Sequence, residues 1–400
     1  MKSKLLILLI CLFAFIFPIL AEDTIKYKET LPYQNVLDII SYDKGYYILY
    51  DNQKIIKYND DNKEIANKII DSISIQNITK INNHILLIGE KDNFLNILIF
   101  DENLRLENKY ETEIMLNSSN TKYYQYDSKI YIILSIDGII SNNKVIIINE
   151  TLDYSIKRIS EITNLKEIIK SDYYYYDNNE KDITYTSSTY ILNNNYLIGY
   201  KEENEKIIGT LKSIEANQYI YNNDYKNIDI KTFNNYLAVL STNDLNSKLQ
   251  IYDQNGNFID EKIINEKAHK LSRLNNNLAI ICNGSIILYN YPITIEKDKN
   301  IFGNIDIIGE IKPFNEITVD IKPNSGYEIN GINLQTFSGQ KITLHNNKFI
   351  MPEDSVKINV EYKETVINPE TIDPIFIIIS FSIVLIIIVK KLYSKYRWLK

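Results

Sequence analysis

The residue types that most often carry catalysis or bind metals are few in this sequence and lie far apart. The three histidines, His84, His269 and His345, are too distant from one another for a local His-pair metal site. No Gly-x-x-x-x-Gly-Lys or Gly-x-Gly-x-x-Gly loop is present, which excludes nucleotide binding by those routes. The sequence therefore predicts no catalytic residue, no metal site and no cofactor.

One acidic stretch, Asp253–Asn257, has the alternating side-chain oxygens of a calcium-binding loop. It lacks glycine at the sixth position and has Ile264 where the twelfth position requires glutamate. The Asn255-Gly256 pair predicts a hairpin turn instead. Other carboxylates are scattered, and two that converged at one end of the fold would form an acid/base pair. An exported glycoside hydrolase or lyase is therefore the alternative function.

A run of four tyrosines is the candidate binding site. It follows a segment, 155–170, in which isoleucine and leucine recur every three or four residues, a spacing that predicts a short amphipathic helix. Tyrosine rings stack on sugars or on protein partners. We predict a binding loop in an insertion at about 152–186, although in a chain with 32 tyrosines the run also fits an ordinary strand. The residues are Tyr173, Tyr174, Tyr175 and Tyr176.

Positioning such a loop requires a scaffold, and the sequence between 22 and 298 is repetitive. A polar pair followed by short runs rich in Ile, Tyr and Val recurs at intervals of 39, 45, 67, 40 and 41 residues. This period predicts a mainly β fold, a propeller-like array of about six to seven four-stranded repeats. Residues 25–28 alternate like a strand that closes the last repeat, and an irregular β-solenoid or a two-sheet sandwich are the alternatives. The pairs begin at Asp43, Asn82, Asp127, Asn194, Asn234 and Asn275.

Charge and cysteine content argue against nucleic acid as a partner and against a disulfide-stabilised fold. The 400 residues include 44 Lys and Arg and 51 Asp and Glu, intermixed, for a net charge of -7. No basic stripe exists outside the C-terminal tail, so nucleic acid is not an expected partner. Cys282 lies in a strand-like run, and we interpret it as a core residue of a fold without disulfides.

The two ends of the chain predict export and membrane attachment. Residues 1–21 have the basic start and apolar core of a signal peptide. At the other end, a linker at 364–374 precedes an apolar segment at 375–393, which we interpret as a transmembrane helix, and a basic tail at 394–400. Because positive residues stay in the cytoplasm, we expect a single-pass cell-membrane protein with its N-terminus outside.

Residues 301–363 resemble the internalin B-type repeat of bacterial surface proteins. The resemblance rests on a strand that enters Pro323-Asn324-Ser325-Gly326-Tyr327 and on Phe349-Ile350-Met351-Pro352 before a last strand. It implies a β-rich stalk or spacer. A glycine at 326 permits the turn, and Phe349 and Met351 alternate toward a core.

The segment before the apolar run resembles the Gram-positive cell-wall sorting signal, in its Asn-Pro-x-Thr-Gly form. Asn368, Pro369 and Thr371 match it, and Ile372 stands where glycine is usual. This resemblance implies cleavage after Thr371 by a sortase and wall attachment as an alternative to a retained membrane anchor. Together, these features predict a non-catalytic bacterial surface protein whose propeller-like head binds an extracellular glycan or protein.

Overall fold

In the part of the chain that it describes, the computed structural model shows mostly β-strands and one helix near the C-terminus. It describes these residues: 24–116, 120–126, 129–136, 139–158, 161, 183–191, 194–213, 216, 218–299, 302–337, 339–365 and 374–396. Of the predictions above, the signal peptide (1–21), the four tyrosines (173–176) and the sorting-like residues Asn368, Pro369 and Thr371 lie outside the described residues.

Six four-stranded antiparallel sheets follow one another between residues 26 and 290. We call each of these six sheets a blade. Each of the first five blades consists of four consecutive strands. The first blade contains β2 (Val36–Tyr42), β3 (Gly45–Tyr50), β4 (Lys54–Asn59) and β5 (Glu64–Ile69). The second contains β6 (Ser74–Ile81), β7 (His84–Lys91), β8 (Phe94–Phe100) and β9 (Leu106–Met115). The third contains β10 (Asn120–Tyr126), β11 (Lys129–Ile136), β12 (Ile139–Ile148) and β13 (Tyr154–Arg158).

The remaining blades repeat this order until the last one. The fourth contains β14 (Thr184–Ile191), β15 (Asn194–Glu203), β16 (Lys206–Ser213) and β17 (Gln218–Asn223). The fifth contains β18 (Lys226–Phe233), β19 (Tyr236–Thr242), β20 (Ser247–Asp253) and β21 (Phe258–Ile264). The sixth contains β22 (Ala268–Leu274), β23 (Asn277–Cys282) and β24 (Ile286–Asn290), and its fourth strand is β1 (Lys26–Leu31).

The pairing of β1 with β24 closes the array into a ring. Lys26 lies opposite Asn290 and Leu31 opposite Ile286, so the N-terminal strand completes the last blade. Next to it, the first strands of the sixth and first blades, β22 and β2, lie side by side. The prediction that residues 25–28 supply the closing strand is confirmed, and the fold is a β-propeller.

The apolar core lies between neighbouring blades. In β7, Ile85 and Leu87 pack toward the first blade, whereas Leu86 and Ile88 pack toward the third. Because successive side chains of a strand point to opposite faces, a strand inside a blade buries side chains on both faces and is mostly apolar at consecutive positions. The continuous apolar runs of the sequence therefore reflect burial on both faces. Cys282 belongs to the core between the fifth and sixth blades, as predicted.

The polar pairs that set the repeat register occupy one kind of turn. Asp43, Asn82, Asn234 and Asn275 each lie between the first and second strands of their blades, Asn194 begins β15, and Asp127 lies outside the described residues. Asn82, Asn234 and Asn275 have φ values of 50°, 48° and 55°, a region that asparagine tolerates better than most residues. The predicted helix at 155–170 is wrong over 155–158, because β13 pairs there with β12.

Seven further strands follow the propeller. They are β25 (Ile295–Lys297), β26 (Gly303–Ile308), β27 (Glu316–Pro323), β28 (Tyr327–Thr336), β29 (Lys341–Ile342), β30 (Lys348–Ile350) and β31 (Val356–Glu364). Gly326 has a φ of 89°, and Phe349 and Met351 are buried, as predicted. By contact density, residues up to 298, 307–320 and 333–359 form one compact unit, and residues 299–306, 321–332 and 360–400 form another.

The helix α1 (Pro374–Tyr396) occupies the position where a transmembrane helix was predicted. Among the described residues, no helix is both long and apolar enough to cross a membrane. A span at 375–393 is therefore not confirmed. The uninterrupted apolar run stops at Val389, and Lys390 and Lys391 follow within the same helix.

Ring closure generates a stability prediction. Leu31, at the end of β1, is 3% exposed between the sixth and first blades. Replacing it with alanine should lower the free energy of unfolding by about 2–5 kcal/mol, because a cavity opens in the closing core. Ile65→Ala, at a side chain 56% exposed on β5, is the control and should change stability by less than about 0.5 kcal/mol. Equal urea midpoints for the two variants would contradict closure by β1.

Candidate functional site

The first strand of a blade lies nearest the propeller axis, and five of the six first strands carry the same irregularity. A β-bulge occurs after the first or second residue in β2, β6, β14, β18 and β22. A bulge leaves one residue unpaired and turns neighbouring side chains in a new direction. A polar side chain lies within or directly after each bulge. We call these residues the polar ring: Asp38, Asn77, Thr186, Asp229 and His269.

Side chains of this polar ring bond to the first strand of the next blade. The donors and acceptors differ, but each bond joins two neighbouring blades. The bonds are Asn77 Nδ2 to Thr121 O at 2.9 Å, Thr186 Oγ1 to Asn227 O at 3.0 Å, Leu271 N to Asp229 Oδ2 at 2.8 Å, and His269 Nε2 to Val36 O at 2.8 Å.

Asp38 has the largest set of polar partners in the ring among the described residues. Its side chain is 1% exposed, and Oδ1 accepts hydrogen bonds from Ile39 N at 2.8 Å and from Ser272 Oγ. Lys270 Nζ lies 2.6 Å from Oδ2. The carboxylate thus joins the first blade to the sixth at the level where the ring closes.

At the other end of the axis, the segment Glu353–Ser355 contacts the turns between first and second strands. We call it the acidic segment. Glu353 Oε1 accepts from Asn275 N at 2.6 Å, and Asp354 Oδ1 accepts from Asn234 N at 2.6 Å. Arg273 Nη2 lies 3.6 Å from Asp354 Oδ2. Three residues of the stretch expected to be a spacer, Glu353–Ser355, therefore bind this end of the propeller.

Buried charges and hydroxyls surround the acidic segment. Burial acts to lower the pKa of Arg273, but Asp354, Tyr291 and Glu353 outweigh it and raise that pKa. Burial raises the pKa of Tyr291, which donates to Glu353 O at 2.6 Å. Burial lowers the pKa of Lys80, whose Nζ donates to Ser41 O at 2.7 Å and lies 3.8 Å from the Phe314 ring centroid.

The carboxylates near the axis are already bonded within the protein. Asp38, Asp229 and Asp354 each accept a backbone N–H of a neighbouring residue as well as a partner from another strand or segment. A general acid or base must reach the reacting group of a substrate. These three axial carboxylates therefore join neighbouring parts of the fold.

The other candidate residues lie apart. His84 pairs with Glu107 on an exposed edge at 2.6 Å, His269 belongs to the polar ring, and His345 pairs with Lys348 in a short bridge. Within the described part of the chain, no group of three His, Cys, Asp or Glu side chains is arranged to hold a metal ion. Asp253 begins a hairpin turn, and its Oδ1 accepts from Asn255 N and Asn257 N, both at 2.8 Å.

Sequence reasoning missed the residues of the axis. Ser41, Lys80, Thr232 and Arg273 each stand two positions before a polar pair, so the repeat register contained a signal for them. The contacts of Glu353 and Asp354 with blades 78 to 312 residues earlier left no such signal.

Comparison with known proteins finds no family and only distant structural similarity. No protein-family profile matches the sequence, and no curated protein matches it significantly. Virginiamycin B lyase from Staphylococcus aureus is 10% identical over 67% of this chain and 100% of its own, with a TM-score of 0.43. BamB from Moraxella catarrhalis is 11% identical over 67% and 100%, with a TM-score of 0.40. The C-terminal WD40 domain of Sif2 is 10% identical over 67% and 98%, with a TM-score of 0.38.

These identities and TM-scores carry no inference about ligand or activity. The propeller assignment rests on the six sheets and on the pairing of β1 with β24.

The polar ring predicts a specific loss of stability. Asp38→Asn should lower the free energy of unfolding by about 1–3 kcal/mol, because the amide oxygen takes the place of Oδ1 and the N–H₂ then faces the Lys270 ammonium, which loses its charged partner. Asp244→Asn, at an exposed turn of the fifth blade, is the matched control and should have almost no effect. Urea denaturation of both variants measures the difference. A control variant as unstable as Asp38→Asn would refute the structural role of the ring.

Cys282 should be unreactive in the native protein. Burial, followed by the nearby Glu266, raises the pKa of its thiol to about 12, so at pH 8 the native thiolate population is about 1,000-fold below that of an ordinary cysteine. Burial of the protonated thiol therefore contributes fully to the free energy of unfolding below pH 9. This contribution is lost as the pH rises toward 12, where the native thiol ionises. Iodoacetamide labelling with peptide mass spectrometry should modify Cys282 only in denaturant. Native labelling at the denatured rate would show that the site is open.

Proposed function

We propose that this protein is an exported, non-catalytic binding protein whose propeller is the ligand-binding head. The observation that carries the proposal is the bonding of the axial carboxylates. Asp38, Asp229, Glu353 and Asp354 each accept at least two hydrogen bonds or ion pairs from the protein itself. Such groups stabilise a scaffold, and they leave binding as the function best supported.

The binding surface in this proposal is the end of the blades opposite the acidic segment, which we call the far face. It contains the turns between second and third strands and the connections from each fourth strand to the next blade. Phe94, Met115 and Leu245 are 39%, 47% and 84% exposed there, and Phe94 lies opposite Met115 in the β8–β9 pair. Exposed aromatic and apolar side chains favour contact with a ligand.

The chain segment that contains the four tyrosines leaves and re-enters the propeller at this face. The fourth strand of the third blade ends at Arg158, and the first strand of the fourth blade begins at Thr184. Both positions are on the far face, because first and third strands run away from it and second and fourth strands run toward it. The proposed ligand contacts of Tyr173, Tyr174, Tyr175 and Tyr176 thus belong to a segment that is joined to the propeller at the far face.

Membrane attachment belongs to the same proposal. The described side chains of α1 include many large apolar groups that are 49–73% exposed, which favours contact with lipid. Together with the basic residues that follow the apolar run, this supports a cell-surface location with the propeller outside. Recovery of the full-length protein with sedimented membranes, and its release by detergent, is the expected result. Recovery in the peptidoglycan fraction would favour sortase attachment at Thr371 instead.

Ligand binding can be tested with a glycan array and a panel of extracellular proteins. A quadruple Tyr→Ser variant at 173–176, and separately Phe94→Ser, should weaken binding of any hit by about fivefold or more, because each removes ring contacts of roughly 1 kcal/mol or more. Tyr221→Ser, at a tyrosine 54% exposed on the outer strand β17, is the control and should bind normally.

Two results would contradict the proposal. The first is a hit whose binding all three variants leave unchanged. The second is turnover of a glycan by the wild-type protein that is lost when Asp38 or Asp229 is replaced by asparagine while the fold is kept. The second result would establish the exported hydrolase or lyase.

A further inference from the structure

Two blades recognise the two carboxylates of the acidic segment by equivalent atoms. Asn234 in the fifth blade and Asn275 in the sixth are each the first residue of the turn after the first strand. The backbone N–H of Asn234 donates to Asp354 Oδ1, and that of Asn275 donates to Glu353 Oε1, both at 2.6 Å. The repeat of the fold is therefore used to bind two consecutive acidic residues.

A second ring of equivalent positions completes the charge recognition. Arg273, two residues before Asn275, pairs with Asp354 and also donates to the carbonyl of Thr232, the residue two before Asn234. Ser41 occupies the same position in the first blade and donates through Oγ to Glu353 Oε1. Lys80, in the second blade, is close enough for the charge of Glu353 to act on its pKa.

The peptide backbone of the acidic segment is bound as well. Tyr291 Oη donates to Glu353 O at 2.6 Å, and Asn234 Oδ1 accepts from Ser355 N at 3.1 Å. Hydrogen bonds to charged groups and to the main chain depend on the ligand having two adjacent carboxylates and a free backbone. In the folded chain, bonds of Met351 to Phe314 and Asn315 and of Val356 to Thr294 hold the segment in place on either side.

We propose that this end of the propeller is a receptor site for a Glu-Asp dipeptide within an extended peptide, and that the chain occupies it with its own Glu353 and Asp354. An acidic peptide from another protein binds there only when the acidic segment is displaced. The site is at the opposite end of the blades from the far face, so its failure would leave the proposed function intact.

The test compares full-length wild-type protein with the variant Glu353→Gln/Asp354→Asn. The probe is a fluorescent peptide with the sequence of residues 351–356, Met-Pro-Glu-Asp-Ser-Val. By fluorescence anisotropy, the peptide should bind the variant at least about tenfold more tightly than the wild type, whose site is filled. The control peptide Met-Pro-Gln-Asn-Ser-Val should bind neither protein. Equal binding of the acidic peptide to both proteins, or to neither, would overturn the proposal.

A second measurement applies if the double variant does not fold. Urea midpoints are compared for Arg273→Gln, Asp354→Asn and the combination of the two. If Arg273 recognises the Asp354 carboxylate, the combined loss is clearly smaller than the sum of the single losses. Additive losses would overturn the proposal, because they would show that the guanidinium does not bind the acidic segment through its charge.

Discussion

A propeller blade cannot be stable alone, because both of its faces are apolar and each must be covered by another blade. The array must therefore close, and here closure depends on the pairing of β1 with β24. The seam between the sixth and first blades is filled by a core that includes Leu31, Val36 and Tyr46. Polar groups reinforce the same seam, since Asp38 bonds to Lys270 and Ser272 across it.

Closure also explains why the side chains near the propeller axis are polar and already hydrogen-bonded within the protein. The first strands converge at the axis, where bulges interrupt the ladders and backbone groups need new partners. Asn77, Asp229 and His269 supply those partners by bonding to the neighbouring first strand. Carboxylates that would suggest catalysis in a sequence are thus used for assembly, and the acidic segment meets the same need at the other end of the axis.

Much of this fold was predictable from local patterns. The polar pairs marked the turns between first and second strands, and the continuous apolar runs marked strands buried on both faces. Residues 25–28 could be assigned to the last blade because the alternation of a strand is visible in four residues. The burial of Cys282, Phe349 and Met351 followed from the same periodicity. The recurrence of isoleucine every three or four residues predicted a helix that included 155–158. These residues form a strand instead, because they pair with β12. Contacts of Glu353 and Asp354 with Asn275 and Asn234 were not predictable, because they join distant segments through backbone groups that every residue has.

Amide hydrogen exchange of β1 in the full-length protein tests ring closure most directly. If the N-terminal strand completes the sixth blade, the amides of Lys26–Leu31 that pair with β24 exchange as slowly as those of β23 and are exposed in the same opening event. Exchange of β1 within seconds, while β23 and β24 stay protected for hours, would show that the ring is not closed by this strand and would contradict the account.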